Sequence, residues 1–558
     1  MNRLSRRKFF EILAGGATAA LSCGSNQRVQ SFGIPGEIVN EDSAVRGHLL
    51  RSNLDTSKFS HFSDSHIDVA IVGAGVSGLC AAWKLKNSGV DNLCVFDLES
   101  RLGGTSVHGT ESGQSFPWGA HYINIPPREA DCIHELLVDI DVITGYDPAG
   151  RPFVHPDHVV NFPSERLYVD REWVDGLNPF QSVGKDIAEQ WHQFEDDMLR
   201  WTLYTGLDGR RGFSMPVAYS TTDTKVRELD RISMAEYMRN KRWTSDRLRW
   251  LIDYCCRDDY GGNASQVSAW AGIHYFACRY YDRRISEQYP SDTLTWEKGN
   301  AFLTDSLVDG LESSEIRNNA AVVSIQSSGS DIELCWIDVE TGQGHKIRAR
   351  SVVYAGKLHA APYVVRGLPK VQKMAMQDLT YSPWLVAALH LREAAANIGP
   401  LAWENVMYDS PSVGYVYAGH QAQSAVDAKA TLVYYRPFTE DVSLSREALL
   451  RRGHGYWADT IMADLVSVHP NMPDLVEKLD VYLWGHGMVR PVPELIWGSG
   501  RHWREQPHGS VAFATCDVSG LPLFEEAAFW GIRAAEYCLN VLGVNFQTSL
   551  SGLVGRDI

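Results

Sequence analysis

A glycine-rich turn between an apolar run and a helical pattern constrains this chain more than any other feature. The run Val69 to Val72 is typical of a buried strand, and Gly73-x-Gly75-x-x-Gly78 follows it. In such a turn Gly73 allows a tight reversal, Gly75 lets the backbone approach a phosphate, and Gly78 lets helix and strand pack closely. Asp97 ends the next apolar run, 19 residues after Gly78, where a carboxylate can accept hydrogen bonds from a ribose. The segment therefore predicts a dinucleotide-binding unit rather than an ordinary strand–turn–helix.

A second pair of glycines indicates which dinucleotide to expect. Arg101-Leu-Gly103-Gly104 follows shortly after Asp97, and the whole run resembles the start of the flavin-containing amine oxidase superfamily. This resemblance implies FAD as the cofactor, with Arg101, Gly103 and Gly104 along its pyrophosphate and the flavin edge. The family usually has Glu at the position of Asp97, and Asp keeps the charge on a shorter side chain.

Two distal segments carry further parts of the same resemblance. An apolar strand from Val511 to Ala514, then Asp517 and a helix of small residues, has the form of the family's C-terminal motif. The resemblance implies that Asp517 binds the ribityl chain of FAD, and the alternative is an acid that ends a strand or caps a helix. Val322 matches the family's valine whose backbone pairs with adenine. The FAD domain is thus expected to combine residues 66–125, 290–370 and 500–545.

The expected fold class is α/β, with a Rossmann-type FAD-binding domain built from three segments and a mixed α+β substrate domain. Residues 126–289 and 371–499 would form the substrate domain. The chain has 558 residues, 44% of them hydrophobic, which suffices for two domains with large cores. A formal net charge of −16 argues against binding nucleic acid through its phosphates. The ten cysteines show no metal-ligand spacing, so no metal site is expected.

Four aromatic or histidine residues are the candidates for the substrate pocket and for catalysis. His121 and Tyr122 follow the paired glycines at about the distance where the family places a segment beside the isoalloxazine. Trp484 and His486 precede the C-terminal motif, where amine oxidases often place an aromatic wall. A structural role explains each histidine equally well. The adjacent pair Asp258-Asp259 indicates either a paired-carboxylate site for a cationic substrate or a capped loop.

The resemblance implies hydride transfer from a substrate C–H bond to flavin N5. Our first interpretation is the oxidation of an amine or amino-acid-like small molecule. Many amine oxidases hold a water at N5 with a Lys, but the matching strand, Trp384 to Leu391, has none. A desaturase or dehydrogenase that passes electrons to a quinone or another non-oxygen acceptor is therefore the alternative. A flavin-binding partner protein without turnover is a third.

The extreme N-terminus resembles a twin-arginine export signal. Ser5-Arg6-Arg7-Lys8-Phe9-Phe10 precedes a mild apolar stretch that is too short for a stable membrane span. This predicts the export machinery as a partner and a periplasmic location. Ala20-Leu-Ser-Cys23 resembles a lipid-attachment motif, which would make Cys23 the membrane anchor, and cleavage near Ser22 is the alternative. Residues 1–23 are thus expected to be the signal and residues 24–64 a linker.

Overall fold

The structure, a computed structural model, describes residues 31–52, 54–148, 150–180, 185–279, 292–394, 400–421 and 429–550. The export motif and Cys23 lie outside these described residues. Across the described ranges, no helix is both long enough and apolar enough to cross a membrane.

The strands of the described residues form two large sheets and three two-stranded sheets. The strands are β1 (Ser60–Val72), β2 (Leu93–Phe96), β3 (His108–Glu111), β4 (Gln114–Pro117), β5 (Tyr122–Asn124), β6 (Ile143–Tyr146), β7 (Pro152–Val154), β8 (Glu165–Val169), β9 (Glu172–Asp175), β10 (Thr293–Thr295), β11 (Ile316–Arg317), β12 (Ala320–Ser328), β13 (Asp331–Asp338), β14 (Gly344–Tyr354), β15 (Tyr381–Ala394), β16 (Glu404–Met407), β17 (Gly414–Tyr417), β18 (Lys429–Pro437), β19 (Val476–Val489) and β20 (Val511–Phe513).

The helices of the described residues surround the two large sheets. They are α1 (Ser43–His48), α2 (Val76–Asn87), α3 (Asp131–Asp139), α4 (Lys185–Thr202), α5 (Thr224–Arg227), α6 (Met234–Lys241), α7 (Asp246–Tyr260), α8 (Ala269–Ala277), α9 (Ala301–Asp309), α10 (Ala361–Val364), α11 (Lys370–Gln377), α12 (Val442–Arg451), α13 (His454–Val466), α14 (Met472–Leu475), α15 (Ser499–Glu505) and α16 (Phe524–Leu542).

Five parallel strands form the centre of the first domain. β1 pairs with β2 on one side and with β14 on the other, β11 extends the sheet beyond β2, and β20 lies beyond β14. The strand order reverses at β1, so the carboxyl ends of β1 and β14 frame a crevice suited to a dinucleotide. β12 and β13 continue β14 as an antiparallel meander. One sheet thus unites strands from distant parts of the chain, and the predicted α/β, Rossmann-type fold class is confirmed.

The second domain is built on a mixed sheet in the order β19–β15–β18–β17–β16–β8–β9. The side chains of β15 alternate between two apolar cores, as the two-residue period of a strand requires. Leu385 and Ala387 pack in the core that contains Trp457 of α13, whereas Trp384 and Val386 pack in the core that contains Tyr254 of α7. β15 is therefore covered on both faces, which explains its continuous apolar sequence.

A segment that we call the N-terminal arm, residues 31–52, ties the two domains together. The Val39 N–H donates to the Val481 carbonyl, and the Val481 N–H donates to the Glu37 carbonyl, so the arm runs along β19. At its other end Leu50 packs on the core of the first domain. Part of the expected linker over residues 24–64 is therefore docked, because backbone hydrogen bonds hold the arm to a strand more than 400 residues away.

Gly36 gives a test of the docking of the arm. Its φ is +152°, and an added Cβ would lie 1.8 Å from the Leu479 carbonyl oxygen. We expect Gly36→Ala to detach the arm from β19 and to speed proteolytic cleavage within residues 32–52 by about tenfold. Gly47→Ala is the control, since a Cβ there meets no atom within 4 Å. Equal cleavage rates for the two variants would contradict this account of the arm.

Candidate active site

A cavity of about 1060 Å³ begins at the carboxyl ends of β1 and β14 and continues beneath the second sheet. The first domain lines it with Gly75 and Gly104, the second domain with Trp384 and Tyr435, and the arm with residues such as Arg51. Pockets for small ligands usually measure about 300–1,000 Å³. This cavity is therefore large enough for a cofactor and a substrate together.

Two glycine turns face each other at the β1 end of the cavity. An added Cβ on Gly104 would lie 3.0 Å from the Cα of Gly75, and the Gly103 N–H donates to the Ala74 carbonyl at 2.8 Å. Bare backbone therefore borders the cavity beside the N-terminus of α2, whose first N–H groups have no partner within the helix. Backbone of this kind next to a helix N-terminus is what a pyrophosphate requires, so these residues fit a dinucleotide.

Further along, buried carboxyl groups line the cavity. Asp258 and Asp259 lie at the end of α7, and Glu404 lies on β16. Burial raises the pKa of Glu404 to about 7, with the Arg279 guanidinium opposing the shift. Burial, the Glu404 carboxylate and the Asp259 carboxylate hold the pKa of Asp258 well above its usual range. We call these three residues the acidic chamber.

Aromatic rings close the acidic chamber, and two of the predicted pocket residues lie there. His121 Nε2 lies 3.4 Å from Glu404 Oε1, and its ring stacks on Tyr435 with centroids 4.8 Å apart. Burial lowers the pKa of His121 to about 4, so the ring is neutral at neutral pH. The Tyr122 O–H donates to Asp259 Oδ1 at 3.0 Å. The chamber can thus bind a cation against carboxylates and apolar rings.

Comparisons with known proteins agree with this geometry. The family described as an NAD(P)-binding Rossmann-like domain matches residues 71–140. The flavin-containing monoamine oxidase AofH of Mycobacterium tuberculosis is 22% identical over 486 residues, which cover 84% of this chain and 96% of that protein. Putrescine oxidase with putrescine bound has a TM-score of 0.63 at 16% identity, over 85% of this chain and 99% of that one. Cyclohexylamine oxidase from Brevibacterium oxydans has a TM-score of 0.61 at 17% identity, over 86% and 99%.

The chain has the fold of the flavin-containing amine oxidases. The resemblance predicted from the glycine motifs is therefore confirmed. The likeness to the solved structures extends over both domains, including parts of the chain where the sequence motifs gave only a general indication.

Within this amine oxidase fold, most of the predicted cofactor residues lie on the cavity wall. These are Gly73, Gly75, Asp97, Arg101, Gly104 and Val322. Gly78 and Gly103 shape the backbone behind the wall instead. An added Cβ on Gly78 would lie 1.8 Å from the Gly73 carbonyl oxygen, so Gly78 has the packing role that its spacing predicts.

Asp97 connects the glycine turn after β1 to the segment that follows β2. Its Oδ2 accepts from the Ala74 N–H at 2.6 Å, and its Oδ1 accepts from the Glu99 N–H at 2.8 Å. Burial raises the pKa of Asp97 to about 6, and these two hydrogen bonds oppose the shift. Asp97 therefore fixes the first glycine turn to the end of β2. Its contact with a ribose stays a prediction.

Asp517 lies behind the cavity wall and is fully buried. Its Oδ2 accepts from the Leu358 N–H at 2.9 Å and from the Tyr381 O–H at 2.6 Å. The carboxylate thus joins the end of β20 to the loop after β14 and to β15. This arrangement agrees with the alternative of an acid at the end of a strand, and a contact with the ribityl chain stays a prediction.

The other two predicted pocket residues also line the cavity. The Trp484 Nε1–H donates to the Trp118 carbonyl at 2.8 Å, which fixes the indole against the segment before His121. The His486 ring stacks on His359 with centroids 4.5 Å apart, and burial lowers the pKa of His486 to about 2. Arginine and lysine side chains surround His486, whereas a carboxylate faces His121. The two predicted histidines therefore lie in opposite electrostatic environments.

Two acidic residues of the site were missed from the sequence. Glu404 stands in an ordinary strand pattern, and no motif marks it. Glu525 lies in the first turn of α16, lines the cavity, and its Oε1 has no hydrogen-bond partner among the described residues. Burial raises its pKa to about 7. The one available signal was its place in a first helical turn, where acidic residues interact with the N-terminus.

The raised pKa of Glu404 predicts how stability depends on pH. The folded state keeps a proton that the unfolded state loses, between the ordinary pKa of 4.5 and about 7, so stability falls as pH rises through this window. Glu404→Gln cannot ionise. We therefore expect the free energy of unfolding of this variant to fall less than that of the wild type between about pH 5 and about pH 8. The expected difference between the two decreases is about 1–3 kcal/mol.

Thermal or urea unfolding at the two pH values measures this difference. Glu172→Gln is the matched control, because Glu172 is exposed on β9. The account of the acidic chamber is wrong if Glu404→Gln and the control lose the same stability as the wild type.

Proposed function

We propose that this protein is an FAD-dependent oxidoreductase that oxidises a positively charged amine. The observation that carries the proposal is a continuous cavity in which a glycine cradle opens onto the acidic chamber. The fold shared with amine oxidases supports the same conclusion. FAD, held by the cradle around Gly75 and Gly104 with Arg101 and Val322 on the same wall, supplies a hydride acceptor when bound.

The acidic chamber binds the ammonium group of the substrate. Asp258, Asp259 and Glu404 repel one another in a buried space, and among the described residues the Arg279 guanidinium opposes this repulsion. A substrate cation relieves the remaining repulsion and favours ionisation of the carboxyl groups. Aromatic rings such as Tyr435 and Trp403, which contact His121, exclude water and strengthen the attraction.

The same groups handle the proton of the substrate. An amine donates hydride from its neutral form, so the bound ammonium must first lose a proton. Glu404, with a pKa of about 7, can accept that proton at Oε1 near neutral pH. His121 holds Glu404 from 3.4 Å away and adds no charge, because burial keeps its pKa at about 4.

Asp258→Asn tests the recognition of the cation. We expect wild-type protein to carry FAD that amines bleach anaerobically, and the variant to need about tenfold more amine for the same rate. Asp246→Asn is the control, because Asp246 lies on the same helix with its side chain 94% exposed. An unchanged amine requirement in Asp258→Asn would exclude this role, and flavin that no amine bleaches would contradict the proposed function.

A second candidate function is a desaturase or dehydrogenase with a quinone or another non-oxygen acceptor. It is supported by β15, which lines the cavity with Trp384 and Val386 and has no Lys between Trp384 and Leu391. Oxygen consumption separates the two candidates. Peroxide released with amines favours the oxidase, and dye reduction without peroxide favours the dehydrogenase.

We also propose that the twin-arginine machinery exports the protein to the periplasm, where Cys23 anchors it to the membrane unless the signal is simply cleaved near Ser22. The run Ser5–Phe10 supports this proposal. Replacing both Arg6 and Arg7 with Lys should leave the protein in the cytoplasm, as cell fractionation would detect. Continued export of that variant would contradict the route.

A further inference from the structure

A cluster of positive charge lies at the mouth of the cavity, away from the acidic chamber. Lys357, from the loop after β14, Arg446, from α12, and Arg51, from the arm, all line the cavity. The Lys357 Nζ donates to the Gly487 carbonyl at 3.1 Å, and the Arg446 Nε donates to the Gly485 carbonyl at 2.6 Å. These partners are neutral, and no carboxylate of the described residues forms an ion pair with the three cations.

The neighbouring groups do not neutralise this cluster. Burial and the charge of Arg51 lower the pKa of Arg446. His359 and His486 stack among the cations, and burial lowers the pKa of both, so they are neutral at neutral pH. Asp517, the carboxylate that faces His359, already accepts two hydrogen bonds. Like charges held close together favour the binding of an anion.

The cluster lies beside the glycine cradle. An added Cβ on Gly73 would lie 3.2 Å from the backbone nitrogen of Gly356, the residue before Lys357. A pyrophosphate at the cradle carries about two negative charges, whereas a helix N-terminus supplies about half of one positive charge. The helix N-terminus and Arg101 on the cradle wall therefore leave part of the negative charge without a partner, and the three cations line the same cavity.

The arm brings Arg51 to this place. It is anchored on β19 through Val39 and on the first domain through Leu50. The Arg51 guanidinium lies 5.4 Å from the Tyr363 ring centroid and is exposed at the mouth. Arg46, five residues earlier, is committed to Glu99 at 3.5 Å and to the side chain of Asn319. Arg51 is thus the arm's cation that is free to bind a ligand in the cavity.

We propose that Arg51, together with Lys357 and Arg446, binds the pyrophosphate of FAD, so that the arm holds the cofactor in its cavity. The proposal rests on FAD binding as proposed above. It adds a cofactor contact from a segment that the sequence indicates only as a linker. It also assigns the cationic cluster to the cofactor rather than to a carboxylate of the substrate.

The release of FAD from the holoprotein tests the proposal. After dilution, the rise of free-flavin fluorescence gives the release rate. At about 50 mM salt we expect Arg51→Gln to release FAD about tenfold faster than the wild type, and at about 500 mM salt we expect this difference to shrink, because salt screens the attraction. Arg51→Lys keeps the charge and should release FAD at close to the wild-type rate.

Lys58→Gln is the control, since Lys58 lies shortly after the arm, 81% exposed and paired with Asp55. If Arg51→Gln releases FAD at the same rate as the wild type and the control, the proposal is overturned. This holds even if the KM of Arg51→Gln for an amine that carries a carboxylate group rises. Equal acceleration in Arg51→Gln and Arg51→Lys would also overturn it, because the charge would then be irrelevant. Wild-type protein without any FAD would instead contradict the proposed function.

Discussion

The parallel pairing of β1 with β14 is the constraint on which the site depends. It sets Val72 opposite Tyr354, two residues that are far apart in the chain. The glycine turn after β1 therefore lies against the loop after β14, and α2 begins beside it. The cradle and the loop that carries Lys357 take their positions from this pairing, because each follows directly from the end of a paired strand. The neighbouring pairing of β14 with β20 places Asp517 against the same loop.

A second principle is the separation of charge along the cavity. The three carboxyl groups of the acidic chamber lie in one part of the cavity and the cationic cluster of Arg51, Lys357 and Arg446 in another, and their own neighbours neutralise each group incompletely. Burial makes such arrangements costly to the folded state. We interpret this cost as stability that the fold gives up for binding. A cationic substrate would neutralise the acidic chamber, and an anionic cofactor would neutralise the cationic cluster.

The dinucleotide half of the site could be predicted because local spacing determines it. Gly73, Gly75 and Asp97 lie within one strand–helix–strand unit, so their mutual placement follows from the motif. The raised pKa of Glu404 could not be predicted, because it depends on burial and on Arg279 and Asp259, which belong to another segment of the chain. The docking of the arm could not be predicted either, because its backbone hydrogen bonds to Val481 leave no periodic pattern in the sequence of the arm.

The most direct test of the account is the absorbance spectrum of the purified, folded protein, with any released cofactor identified by mass. The account predicts an oxidised flavin band near about 450 nm and one FAD for each chain. A folded protein that is colourless and takes up no added FAD would contradict it.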